Sequence, residues 1–113
     1  MIDNKDIVLM IRKTIQSIAP DATVILYGSY ARGDYNSESD LDILILLDKT
    51  KISREDEKRV KYPLYDIEFE TGKIISPLVL TKKEWESQHK ITPFYENVTT
   101  EGIVLWILGE GKN

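Results

Sequence analysis

The most restrictive feature of the sequence is an apolar segment, residues 41–47, that contains one carboxylate, Asp42. Leucine and isoleucine fill the other positions on both alternating faces, a pattern typical of a central strand covered by helices on each side. A second run, residues 23–27, is rich in β-branched side chains and ends at Gly28, which predicts another buried strand. The chain therefore has to place helices against both faces of a sheet. A carboxylate within this central strand is unfavourable unless it has a chemical role.

Helical periodicity predicts the covering layers. A first helix is indicated by isoleucines spaced four, four and three residues apart, with a cap at Asp3 or Asn4 and an end at Pro20. These isoleucines are Ile7, Ile11, Ile15 and Ile18.

A second long helix is predicted to begin after Ser53, because acidic first-turn residues follow it, and to be interrupted at Pro63. Residues 65–70 alternate like a strand, but the apolar positions around them keep helical spacing and Gly72 suits a helix end. The helical interpretation is favoured.

The rest of the chain continues the alternation of strands and helices, which predicts one α/β (α+β) domain with a small mixed β-sheet flanked by helices. A domain over residues 1–108 and a flexible tail over 109–113 are expected. The further elements are a strand at 73–80, a capping box at 81–84 before a short helix, a helix at 93–101 and a strand at 103–108.

Composition excludes several classes of function. The chain has no cysteine and one histidine, His89, which excludes thiol catalysis, disulfides and Cys/His zinc sites. A net charge of -4 argues against a broad nucleic-acid surface. No apolar run reaches membrane-spanning length, and the first residues do not form a signal peptide, so a cytoplasmic protein without a membrane partner is expected. An oligomer is compatible with the sequence.

Asp40 and Asp42 are the candidate catalytic and metal-binding residues. Side chains two positions apart on a strand project from the same face, so the two carboxylates aim at one region. Like charges at close range raise each other's proton affinity unless a cation intervenes, and Mg²⁺ prefers oxygen ligands. An isolated Asp-any-Asp is more often a pair of turn-capping carboxylates, so this interpretation depends on what surrounds the pair.

Gly28 and Ser29 are the surrounding residues that support a functional interpretation of the two aspartates. They stand where a buried strand gives way to a helix, whose unpaired N–H groups can bind phosphate, and glycine admits a close approach. The Ser29 hydroxyl adds a donor, and Arg32, one turn further along, either adds charge to this cradle or pairs with Asp34 or Glu38. Together with the carboxylates, the cradle predicts phosphoryl-type transfer on ATP or another nucleoside triphosphate.

The order Gly28-Ser29, ten residues, then Asp40-Leu41-Asp42 resembles the signature of the DNA polymerase beta-type nucleotidyltransferase superfamily. The resemblance implies a polymerase beta-like nucleotidyltransferase fold and transfer of a nucleoside monophosphate with release of pyrophosphate. It also implies two Mg²⁺ ions when nucleotide is bound. The short chain and the Ala31-Arg32-Gly33 extension resemble the minimal nucleotidyltransferases. That resemblance implies an antitoxin that transfers AMP from ATP onto a HEPN-domain toxin protein.

One departure from the superfamily pattern concerns a third carboxylate, which its members usually carry on a later strand. Residues 74–80 contain no acidic side chain. Asp66, Glu68 or Glu70 can substitute only if residues 65–70 form a strand whose polar face meets the site. The alternative function is therefore a catalytically weak or inactive nucleotide-binding module that acts by binding a partner protein.

Overall fold

The computed structural model describes residues 3–87 and 89–106, and these fold around a four-stranded mixed sheet. The strands are β1 (Thr23–Tyr27), β2 (Leu41–Leu47), β3 (Ile75–Thr81) and β4 (Ile103–Trp106), in the spatial order β3-β2-β1-β4. Strand β2 runs parallel to β3 and antiparallel to β1, and β1 pairs with β4 antiparallel. The predicted small mixed sheet is confirmed.

Five helices occupy the described part of the chain and cover both faces of the sheet. The helices are α1 (Asn4–Ile18), α2 (Ser29–Arg32), α3 (Arg54–Thr71), α4 (Lys82–Ser87) and α5 (Pro93–Glu101). The larger hydrophobic core joins α1 and α3 to the face that carries Ile43 and Ile45. The smaller core joins Trp85 of α4 and Val98 of α5 to the face that carries Leu44 and Leu46. Both faces of β2 are therefore covered, as its apolar pattern predicts, and Asp42 is its one partly exposed residue.

Side-chain caps fix where the helices begin. The Asp3 carboxylate accepts a hydrogen bond from the Asp6 amide at 2.9 Å, which places the start of α1 as predicted. At α3, Ser53 accepts from the Asp56 amide and the Asp56 carboxylate accepts from the Ser53 amide, both at 3.0 Å. Such a reciprocal capping box satisfies two N–H groups that the first helical turn leaves unpaired.

The predicted interruption at Pro63 is wrong, because α3 continues through this residue to Thr71. Proline removes one helical hydrogen bond and crowds the preceding turn. Val60 and Leu64 on either side are nevertheless fully buried in the larger core, so packing of a continuous apolar face outweighs that cost.

The later elements agree with the sequence apart from their ends. The third strand begins at Ile75 and includes Thr81, two residues later than predicted at its start. The Thr81 and Glu84 side chains form the predicted capping box, with bonds of 2.9 and 3.0 Å. The final strand is described to Trp106, and the predicted tail at 109–113 lies outside the described residues. Within the described ranges, no helix combines the length and hydropathy needed to cross a bilayer.

Candidate active site

The turn between β1 and α2 brings Gly28 against the carboxylate of Asp42. Gly28 has φ 76° and ψ -155°, a backbone conformation that is essentially restricted to glycine. A Cβ atom added at this position would overlap Asp42 Oδ2. Gly28 therefore serves two purposes, since it permits the turn and leaves space for the carboxylate at the start of α2.

Asp40 and Asp42 lie at the same end of β2, and both face the side of the sheet covered by α4 and α5. Asp42 is paired in register with Tyr27 of β1 and with Ser76 of β3. The Ser76 hydroxyl donates to Asp40 Oδ2 at 3.5 Å, a long hydrogen bond that places the second carboxylate next to the same residue. The structure thus brings together the two acids that the sequence singled out.

The electrostatics of Asp42 show the effect of this arrangement. Burial raises the pKa of Asp42 above its ordinary value of 3.8, and the Asp40 charge raises it further, whereas Arg32 lowers it. Burial and the Asp42 charge also raise the pKa of the Tyr27 phenol. The charged form of Asp42 is therefore less favourable here than in water, and a cation at the site would oppose that effect.

The donor set fits Mg²⁺. Within residues 3–87 and 89–106, no group of three or more His, Cys, Asp or Glu side chains is arranged to hold a metal ion, so the site offers a pair of aspartates. Mg²⁺ is usually held by one or two carboxylates, with water and substrate phosphates completing the shell. Two acids, one of them against the Gly28 turn, match that requirement.

Arg32 ends α2 close to the site, but ion pairs hold its guanidinium. It lies 3.1 Å from Asp34, one of the two partners weighed from the sequence, and 3.6 Å from Glu101 at the end of α5. Its side chain is 44% exposed, so the guanidinium can leave these partners at small cost. Its influence on the pKa of Asp42 shows that it is already within electrostatic reach of the carboxylates.

No third carboxylate reaches the site from β3 or from residues 65–70. The latter belong to α3, so the strand that would have presented Asp66, Glu68 or Glu70 does not form. Glu68 instead accepts a hydrogen bond from the Ile75 amide at 2.8 Å. Ser76 occupies the β3 position opposite Asp42. The sequence analysis missed Ser76 because its relevance depends on the parallel register of β2 and β3.

Three stacked side chains pack beside the turn that contains Ser29. The Tyr30 ring, next in the chain, packs parallel to Tyr35 with centroids 4.2 Å apart, and the Lys73 ammonium lies 4.6 Å from the Tyr30 centroid. Because Tyr35 covers one face of the ring, Lys73 has to occupy the other. The contacts connect the turn to the following loop and to the segment before β3, which the sequence analysis did not foresee.

Comparisons with known proteins agree with this geometry. Residues 8–101 match the family described as nucleotidyltransferase domain. A candidate protein adenylyltransferase from Methanocaldococcus jannaschii is 39% identical over 80 residues, which is 68% of this chain and 79% of the relative.

Two solved structures share the fold at 19% sequence identity. A toxin-antitoxin structure with AMP-PNP matches with a TM-score of 0.63, covering 93% of this chain and 74% of the other. A candidate nucleotidyltransferase from Sulfolobus solfataricus matches with a TM-score of 0.58, covering 93% and 84%. The predicted fold and the resemblance to minimal nucleotidyltransferases are confirmed. With a family match across most of its length and the glycine turn set against Asp42, this chain belongs to the nucleotidyltransferase domain family.

Proposed function

We propose that this protein transfers AMP from ATP to a hydroxyl group of a protein or small-molecule acceptor and releases pyrophosphate. The observation that carries the proposal is the contact between the Gly28 turn and the Asp42 carboxylate, because such a turn can bind phosphate and such an acid can bind a cation. The Methanocaldococcus relative favours a protein as the acceptor and adenylyl as the transferred group.

Each site residue has a defined role in this reaction. Gly28 and Ser29 hold the end of the triphosphate through backbone N–H groups and the serine hydroxyl, and Arg32 leaves Asp34 to bind the same phosphates. Asp40 and Asp42 would hold Mg²⁺, which would neutralise charge on the phosphate oxygens and orient the reacting groups.

The bond changes balance without a further co-reactant. The acceptor oxygen bonds to the α-phosphorus of ATP, the bond from that phosphorus to the bridging oxygen breaks, and pyrophosphate leaves. The acceptor proton passes to solvent, and the β3 residue in register with Asp42 is Ser76 rather than an acid. Positioning and charge neutralisation have to supply most of the rate enhancement.

A HEPN-domain toxin protein is the proposed partner, with this chain as its antitoxin in the cytoplasm. The similar fold of the toxin-antitoxin structure with AMP-PNP supports that choice. One observation favours the alternative of a weakly active or inactive nucleotide-binding module, namely that Asp40 contacts Ser76 rather than a third acid. Both functions include nucleotide binding, so turnover separates them.

The test uses ATP labelled at the α-phosphate, Mg²⁺ and the product of the neighbouring gene as acceptor. We expect label on that protein and an equal amount of released pyrophosphate with the wild-type chain, and neither product with Asp42→Asn. Asp48→Asn, the same change at an exposed aspartate beyond the other end of β2, is the matched control and should retain activity. Nucleotide binding without pyrophosphate release would support the binding module. Equal labelling by wild type and Asp42→Asn would rule out the proposed site.

A further inference from the structure

The solvent face of α3 carries an aromatic stripe formed by Tyr62, Tyr65 and Phe69. Their exposed fractions are 57%, 41% and 92%, respectively. The helix buries Val60, Leu64 and Ile67 against the core on its opposite side. Packing within the chain therefore gives no reason for three aromatic side chains on this face.

The three residues form one continuous surface. Successive residues of an α-helix turn by about 100°, so Tyr62 and Phe69 nearly superimpose along the axis and Tyr65 lies between them at the edge of the same face. Isolated exposed apolar side chains are common on proteins, whereas an aligned group of them is typical of an interaction site.

Beyond the acidic first turn of α3, this face carries a basic half followed by an acidic half. Lys58 and Arg59 lie toward the start of α3, and Asp66 and Glu70 lie toward its end, all of them exposed. None of the four takes part in an ion pair found among the described residues. Arg59 and Glu70 are eleven positions apart, roughly 16 Å along the axis, so they cannot pair within one helix.

The acidic half is electrostatically unfavourable in an isolated chain. Asp66 and Glu70 are four residues apart, a spacing at which like charges repel across one helical turn. They also approach the negative end of the helix dipole, and the last turn of α3 contains no basic residue. A cation supplied from outside the chain would relieve both effects.

We propose that the aromatic stripe is the interface between two copies of this chain, with their α3 helices packed antiparallel about a two-fold axis. In such a dimer both copies bury the same surface, so that surface has to be complementary to itself. Antiparallel pairing centred near Leu64 and Tyr65 meets that condition. It sets Arg59 of one copy against Glu70 of the other, twice, with the aromatic side chains between the two ion pairs.

The dimer is expected to be weak and reversible. One pair of helices covers less than the roughly 1,200 Å² found at the low end of standard interfaces, the size range of weak and transient complexes. The proposal concerns the solvent face of α3 and does not depend on transferase activity.

Sedimentation equilibrium of the full chain over a range of concentrations tests the proposal. The wild type should shift from 13.0 kDa toward twice that mass. Arg59→Glu and Glu70→Arg should each raise Kd by at least about tenfold, because each places like charges opposite each other at both ion-pair positions. Phe69→Ser should do the same by removing the most exposed apolar group.

Mixing the variants provides the decisive comparison. An equimolar mixture of Arg59→Glu and Glu70→Arg should form heterodimers close to wild-type affinity, and so should the double variant with itself, since opposite charges again face each other. A wild type that stays monomeric to about 1 mM would overturn the proposal and assign the face to a different protein. Single variants that dimerise like wild type, or a mixture that stays monomeric, would overturn the antiparallel pairing.

Discussion

Replacing Gly28 by alanine should damage both the fold and the site, by two separable effects. Its φ of 76° and ψ of -155° fall in a region that costs other residues about 1 to 3 kcal/mol. In a domain of this size, that loss corresponds to a fall in Tm of roughly 5 to 15 °C. The added Cβ also overlaps Asp42 Oδ2, so the carboxylate has to move away from the position in which it would hold a cation.

Gly33 provides a matched control at the other end of α2. Its φ is 83° and its ψ is 8°, so alanine is again disfavoured, at a cost of about 1 kcal/mol. A Cβ atom at Gly33 has no neighbour within 4 Å. Gly33→Ala should therefore lower Tm by a few degrees and leave the carboxylates in place.

The assay combines thermal unfolding with titration of a non-hydrolysable ATP analogue in Mg²⁺. We expect Gly28→Ala to lose Tm and to bind the analogue at least about 100-fold more weakly, because a displaced carboxylate no longer holds the cation that the phosphates need. Gly33→Ala should lose Tm only. The reasoning is refuted if Gly28→Ala binds the analogue as tightly as Gly33→Ala does.

Three further predictions follow from the site and from the caps. Asp42→Asn should raise the Tm of the metal-free protein near pH 7. Because the pKa of Asp42 is raised in the folded state, its protonated carboxyl stabilises the fold fully below pH 3.8, and this stabilisation is lost as the pH rises. The gain in Tm should therefore vanish when the protein is unfolded at acid pH. Arg32→Gln should weaken binding of the ATP analogue about tenfold in calorimetry, whereas Asp34→Asn, which only frees Arg32, should not weaken it. Ser53→Ala should cost about 1 kcal/mol in urea unfolding by removing half of the capping box of α3.

Local patterns were sufficient to predict most of the fold. The bounds of β1, β2 and α5 follow from apolar runs and punctuating residues such as Gly28 and Gly102, because those signals act within a few residues. The predicted interruption of α3 at Pro63 was wrong because it depended on contacts between residues far apart in the sequence. Whether a helix survives a proline depends on burial against a distant segment, in this case the packing of α3 on α1.

The parts of the site that depend on residue spacing within one strand could be predicted from the sequence. The parts that depend on contacts between distant segments could not. Two residues on one strand share a face, so Asp40 and Asp42 could be placed together from sequence. The position of Ser76 required the register between two strands separated by α3, and the contact of Arg32 with Glu101 required the packing of α5. No short-range pattern encodes either contact.

The most direct test of the account is calorimetric titration of a non-hydrolysable ATP analogue into the wild-type chain and into Asp42→Asn, each with Mg²⁺ and with EDTA. We expect only the wild type with Mg²⁺ to bind the analogue with a Kd in the micromolar range or tighter. Equal affinity in all four titrations would mean that the phosphates are held without a cation on the aspartates, which would contradict the proposed site.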